Sequence, residues 1–249
     1  MTWQTTLRNL ENGQLRAAEK SSAGDWQANQ HVKQAILEVF KAGKNQTLTG
    51  TYQGFVDKNN LPPRMFTEKE QVRMVPGGSA VRAGAYIASS VVIMPPAYVN
   101  IGAYVGEGTM IDSHVLVGSC AQIGAHVHLS AGVQIGGVLE PIGMTPVVIE
   151  DRAFIGAGAI IVESMVVGAG AVIAPSVVLS QGVQLYDLTK EKILPKGSPV
   201  PAGAVVVPGS RPLNTAWAKK HGLQAACPVI VKYRDDKSDA VLNLEEALR

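Results

Sequence analysis

A mainly β fold, a parallel β-helix preceded by a small helical domain, is predicted for this 249-residue chain on three observations. An aliphatic residue returns at every sixth position from Ile87 to Ile135, through Ile93, Val99, Val105, Ile111, Val117, Ile123 and Leu129. A second run with the same period passes through Ile149, Ile155, Ile161, Val167, Ile173 and Leu179. Four residues after the aliphatic positions of the first run stand small or β-branched partners such as Val91, Ala97, Ala103 and Thr109, and glycine, asparagine, aspartate or serine often follows the aliphatic residue directly. Neither an α-helix nor an ordinary strand has this period. Repeats of six belong to β-helices, in which each hexad supplies one short strand with its aliphatic side chain inward and a turn onto the next flat face. One coil cannot bury its own interior, so coils must stack. With three hexads per coil, the first run supplies about three coils and the second about two. A Val/Ile/Gly-rich β-sandwich would leave the shared period of the two runs to coincidence.

The other elements follow in order. Trp3 to Leu10 and Leu15 to Lys20 read as short helices around the Asn12-Gly13 turn. Gln27 to Lys41 reads as an amphipathic helix, with Val32, Ala35, Ile36, Val39 and Phe40 at helical spacing. Gly50 to Val75, which contains Pro62-Pro63, reads as an irregular connector with a strand near Val72. Residues 1–78 are thus a helical N-terminal domain and connector, 79–207 the β-helix, and 208–249 a C-terminal capping region. The segment between Ile135 and Ile149 breaks the period, so a loop near 138–148 must bulge from the prism, and 186–199 forms a second extrusion. Loops projected from a rigid scaffold are common ligand sites. Val200 to Val205 resumes the repeat, Pro228 to Tyr233 reads as a strand and Leu242 to Leu248 as a terminal helix. This short C-terminal α/β region can cap the open end of the β-helix.

Composition narrows the function. A net charge of +2 without long runs of one sign argues against nucleic-acid binding. No apolar stretch is long enough for a membrane span, and Met1 to Lys20 lacks a signal-peptide core, so a cytoplasmic location is expected. Cys120 and Cys227 have no metal-like spacing and read as reduced, structural residues. An aromatic content of 5% suits a core too narrow for large rings. The mean hydropathy of +0.13 suggests flat faces packed on copies of themselves, hence a homo-oligomer.

Candidate chemistry is sparse. His114, His126 and His128 fall in the coils, where a histidine can be a general base but is more often a solvated face residue. Asp112 follows Ile111 at a place where a turn alone would accept aspartate. Arg73 and Arg82 flank the Gly-rich junction Pro76 to Ala80; each is either a surface charge or a guanidinium placed for bidentate capture of a carboxylate. Gly136-Gly137 leaves room for a narrow ligand arm, or makes a plain turn. No phosphate loop, zinc triad or nucleophile elbow is visible.

Longer strings carry more information. Ala97-Tyr98-Val99-Asn100-Ile101-Gly102-Ala103-Tyr104-Val105, Gly108-Thr109-Met110-Ile111-Asp112, Val117-Gly118-Ser119-Cys120-Ala121-Gln122-Ile123-Gly124 and Gly136-Gly137-Val138-Leu139-Glu140-Pro141 resemble the tetrahydrodipicolinate N-succinyltransferase family. So do Leu15-Arg16-Ala17-Ala18-Glu19-Lys20, Phe154-Ile155-Gly156-Ala157 and Val229-Ile230-Val231-Lys232, and the resemblance extends over roughly residues 13 to 232. It implies a left-handed parallel β-helix and a homotrimer with active sites between neighbouring subunits. The implied reaction is metal-free transfer of an acyl group from succinyl-CoA to the amino group of ring-opened, hydrated tetrahydrodipicolinate in lysine and diaminopimelate synthesis. An acetyl-CoA-dependent relative acting on another amino acid, as in tabtoxin synthesis, is the alternative; a non-catalytic β-helix binding protein is a second.

Carried over by position, the resemblance makes Arg73 a substrate-binding arginine and Asp112 the active-site aspartate that assists proton transfer on the dicarboxylic substrate. The thioester would lie along the prism toward Gly136 and Gly137. Two positions depart from the family pattern. Ile160 stands where the family carries a glutamate proposed to take part in proton removal, with Glu163 nearby, and Leu188 replaces a common arginine.

Overall fold

The computed structural model describes residues 2–234. Every aliphatic position of the two runs is buried, from Ile87 to Leu179. Each is the inward residue of a two-residue strand, preceded by an outward one, as in Tyr104–Val105 and Met110–Ile111. Val105 pairs in parallel with Ile87 on one side and Ile123 on the other, three hexads away in each direction. The coil therefore has three sides. The chain forms a left-handed parallel β-helix, against the usual right-handed crossover.

Three outward ladders define the faces. The first carries Arg73, Val92, Met110, His128, Phe154 and Val172. The second carries Ala80, Tyr98, Leu116, Gln134, Ile160 and Val178. The third carries Tyr86, Tyr104, Gln122, Val148 and Val166. The prism thus begins at the strand Arg73–Met74, which already pairs with Val92–Ile93.

Two kinds of corner residue close the coils. The third residue after many inward aliphatics is left-handed, as at Gly108 (φ 64°), His114 (φ 63°) and His126 (φ 54°). The first residue after many inward aliphatics is a glycine because adjacent coils touch there. A Cβ on Gly118 would stand 2.2 Å from the Gly137 nitrogen.

In the N-terminal domain, helix α1 (Trp3–Glu11) starts at Thr2, whose side chain accepts from Thr5 N. Helix α2 (Gln30–Ala42) starts at Asn29, whose side chain accepts from Val32 N, and so begins later than the expected Gln27. Leu15 to Lys20 is not a helix. Ala18–Lys20 instead pairs antiparallel with Trp26–Ala28 across a turn at Ser21 to Asp25. The helical propensity of these residues yields to tertiary context: Ala17 and Ala18 are fully buried, while Arg16, Lys20 and Trp26 reach the third face of the prism. The connector is more ordered than its sequence suggests, with Asn45–Thr47 paired to Val56–Lys58. The helices pack Leu7, Leu10, Val32, Ile36 and Val39 against Ile101 and Cys120 at the corner between the second and third faces. Burial pushes the Cys120 thiol up to about 12, so it behaves as a small apolar side chain.

The extruded segment after Ile135 folds back on this domain. Leu139 packs on the same cluster, and the Lys33 ammonium, with no exposed surface, donates to the carbonyl oxygens of Pro141 (3.1 Å) and Met144 (2.7 Å). At the other end, Ala204–Pro212 extends the first face through Val205–Val206 and pairs antiparallel with Gln224–Tyr233, enclosing helix α3 (Ala216–Lys220). Within the second extrusion Tyr186–Asp187 pairs with Lys192–Ile193 and with Val229–Ile230. The expected helix Leu242 to Leu248 lies outside the described residues. No helix among the described residues is long and apolar enough to cross a membrane.

Candidate active site

Asp112 lies at the corner between the first and second faces, immediately after the strand Met110–Ile111. Its backbone N–H donates to Leu129 O, which locks the corner, and its side chain accepts from Ser113 N at 2.7 Å. This is the turn role that aspartate often fills, yet only one carboxylate oxygen is used in it. The residue is half-buried, which leaves the group accessible.

Arg73 stands on the first face, two strands before Met110. At the usual strand spacing that is roughly 10 Å along the prism axis. Its side chain is exposed and, among the described residues, forms no ion pair. Arg73 and Asp112 therefore share one edge of the prism without touching. Arg82 is different: it is engaged by both Asp57 carboxylate oxygens at 2.7 Å, so it joins the connector to the coil.

Gly136 and Gly137 sit at another corner, between the second and third faces. A Cβ on Gly137 would stand 2.6 Å from Ser119 N, so close packing of coils accounts for its lack of a side chain. The second face separates this corner from Asp112. Next to the last strand of that face, Ile160 is 36% exposed and pairs with Gln134 and Val178, presenting apolar surface where the family pattern would put a carboxylate. Glu163 does not replace it, because it belongs to the next corner and accepts from Gln181 N.

The three histidines do not converge. His128 lies on the first face with its ring 4.8 Å from Phe154. His114 is at the Asp112 corner, two residues on, and its carbonyl accepts from Gln134 Nε2. His126 lies over Gly108 at the corner between the third and first faces, where a Cβ on the glycine would come within 2.5 Å of the imidazole Nδ1.

Sequence reasoning missed a cluster between the N-terminal hairpin and the third face. Glu150 accepts from Lys20 Nζ at 2.7 Å, Trp26 Nε1 at 2.8 Å and Ala169 N at 3.1 Å. Burial pushes this carboxyl up, but the bonds from Lys20 and Trp26 and the lysine charge outweigh it and hold the group below its ordinary range. A carboxylate depressed on folding adds stability above its unfolded pKa, roughly 4.3, and loses it as pH falls through the folded value. The stability difference between wild type and Glu150→Gln, measured by urea unfolding, should therefore be largest near neutrality and shrink in acid; a pH-independent difference would contradict this. The only sequence signals were Trp26 and the charged hairpin residues, and neither names its partner.

Asp187 was missed as well. It is 2% exposed and accepts from Thr189 N, Thr189 Oγ1, Lys190 N and the Tyr233 hydroxyl, tying the second extrusion to the C-terminal strand. Leu188 beside it is 62% exposed.

Comparison with known proteins points to one family. The family model described as "Tetrahydrodipicolinate N-succinyltransferase N-terminal" matches residues 2–41. A Neisseria meningitidis serogroup A protein named 2,3,4,5-tetrahydropyridine-2,6-dicarboxylate N-succinyltransferase is 44% identical over 98% of this chain and 88% of its own length. A Legionella pneumophila protein of the same name is 44% identical over 98% of this chain and 86% of its own. A Campylobacter jejuni crystal structure, described as a putative 2,3,4,5-tetrahydropyridine-2-carboxylate N-succinyltransferase, superposes with a TM-score of 0.58 at 16% identity, covering 92% of this chain and 62% of that one, and supports the fold. With identity of this level spread over nearly its whole length, the chain belongs to the tetrahydrodipicolinate N-succinyltransferase family.

Proposed function

We propose that the protein transfers the succinyl group of succinyl-CoA to the amino group of ring-opened tetrahydrodipicolinate, in lysine and diaminopimelate synthesis. The 44% identity over 98% of the chain to proteins named for that transfer carries the reading. The same relatives favour it over acetyl transfer in a tabtoxin-like pathway and over a non-catalytic role.

In this reading the amine nitrogen bonds to the thioester carbonyl carbon, the C–S bond breaks, and CoA leaves as the thiol once the proton lost by nitrogen has been passed on. The amine must be deprotonated to attack. Asp112 handles a proton on the acceptor, and Arg73 holds one of its carboxylates by a charge-assisted pair of hydrogen bonds. Their separation along one prism edge suits an elongated dicarboxylate. The thioester arm lies along the second face toward Gly136 and Gly137, and no metal takes part. A neighbouring subunit of a homotrimer closes the groove; the exposed apolar side chains Ile160 and Val178 on that face support such a contact. A cytoplasmic location accompanies the reading.

Thiol release tests it. With tetrahydrodipicolinate, succinyl-CoA should be consumed at least about tenfold faster than acetyl-CoA, since a site that pairs with a terminal carboxylate discriminates against a donor lacking one. Equal rates would overturn the succinyl assignment, and no turnover with either thioester would overturn the transferase reading. Ile160→Glu should raise the succinyl rate if the apolar side chain costs proton removal.

A further inference from the structure

Across the prism from the Asp112 corner, the N-terminal hairpin overhangs the third face and encloses a cavity of about 470 Å³, a volume typical of small-molecule sites. Its lining combines Arg16, Trp26 and Tyr104 with the carboxylates of Glu107, Glu150 and Asp151. Glu150 is already engaged by Lys20 and Trp26. Arg16 is held in place: its guanidinium carbon lies 3.8 Å from the Tyr104 ring centroid, and its Nε donates to Gln122 Oε1 at 2.9 Å. Among the described residues, no acceptor engages its two terminal nitrogens and no carboxylate forms an ion pair with it, though Glu19 and Asp151 are near enough to stabilise its charge. Glu107, at the corner between the third and first faces, likewise has no hydrogen bond to its side chain, and Asp151 spends one oxygen on Ala125 N.

The cavity therefore offers a preplaced planar donor fork, an aromatic wall and two uncommitted or partly committed carboxylates. A guanidinium fork recognises a carboxylate bidentately, and carboxylates beside aromatic faces recognise an ammonium. With Lys20 and Glu150 neutralising each other, one cation faces two anions, so a ligand with one negative and two positive groups balances the site. We propose that this cavity is a binding site, separate from the Arg73–Asp112 edge, for an α-amino acid with a cationic side chain, its carboxylate on Arg16 and its positive groups on Glu107 and Asp151.

Isothermal titration of the full-length protein with L-lysine, L-ornithine and L-arginine tests the site, with cadaverine lacking the carboxylate and hexanoate lacking the amines. At least one amino acid should bind saturably, and at least about tenfold more tightly than either control, a difference of about 1.4 kcal/mol. Arg16→Met and Glu107→Gln should each weaken it by a similar factor. Because Arg16 also packs on Tyr104, Arg16→Met can disturb folding, whereas Glu107 is exposed and its side chain holds nothing in place. The proposal is overturned by no binding at millimolar concentration, by equal binding of cadaverine or hexanoate, or by undiminished affinity in Glu107→Gln.

Discussion

Asp112→Asn should lower kcat by about 10²–10⁴-fold, the range associated with loss of a positioned proton-transfer group, while KM for succinyl-CoA stays nearly constant. The corner itself should survive. Asn side chains make the same turn contact, so the bond now accepted from Ser113 N can persist and the coil register is set by the backbone pair from Asp112 N to Leu129 O. Arg73→Ala should show a different split, with KM for the dicarboxylate raised about tenfold or more, because a charge-assisted pair worth about 1.5–3 kcal/mol is lost. Steady-state kinetics on variants with unchanged thermal melting would check both. An Asp112→Asn enzyme of near wild-type kcat would remove the aspartate from the mechanism.

Lys33→Ala should destabilise the protein by about 2–5 kcal/mol. The ammonium has no exposed surface and serves two carbonyl oxygens, of Pro141 and Met144, in the extruded loop. Removing it leaves both acceptors unsatisfied, at about 1–3 kcal/mol each, and leaves a void where a fully buried side chain stood. Burial lowers the pKa of this lysine. Urea unfolding gives the difference directly, and a loss below about 1 kcal/mol would mean that water or another donor takes over the two oxygens. Lys33→Met, which keeps the volume, should fall between wild type and alanine.

Much of the prism is legible in the sequence. The six-residue period names every inward side chain from Ile87 to Leu179 because each strand is two residues long and its in-or-out choice is local. The broken period located the loop after Ile135 for the same reason, and the glycines following many aliphatics mark where neighbouring coils touch. The N-terminal hairpin was not legible in this way. Ala17, Ala18, Glu19 and Lys20 favour a helix locally, but they are held as a strand by partners at Trp26–Ala28 and by side-chain contacts more than 100 residues away, at Gln122 and Glu150.

The candidate site divides along the same line. Arg73 and Asp112 are identified through family strings; the period places Asp112 in a coil, but Arg73 reads as part of the connector, and only its pairing with Val92 puts it on the first face near the same edge. Gly136 and Gly137 read as room for a ligand arm or as a plain turn; the structure adds that their corner lies across the second face from Asp112 and that coil-on-coil packing by itself accounts for the missing side chain at Gly137. Hexad periodicity is the same on all three faces, since it reports only which side chain points inward. It therefore determined the scaffold and its register, while the folding of helices, hairpin and loop onto the third face and its adjoining corner decided which surfaces are covered and which are free. That choice rests on contacts such as Arg16 with Tyr104, Glu150 with Trp26 and Lys33 with Met144, whose partners are too distant in the chain for any local pattern to encode.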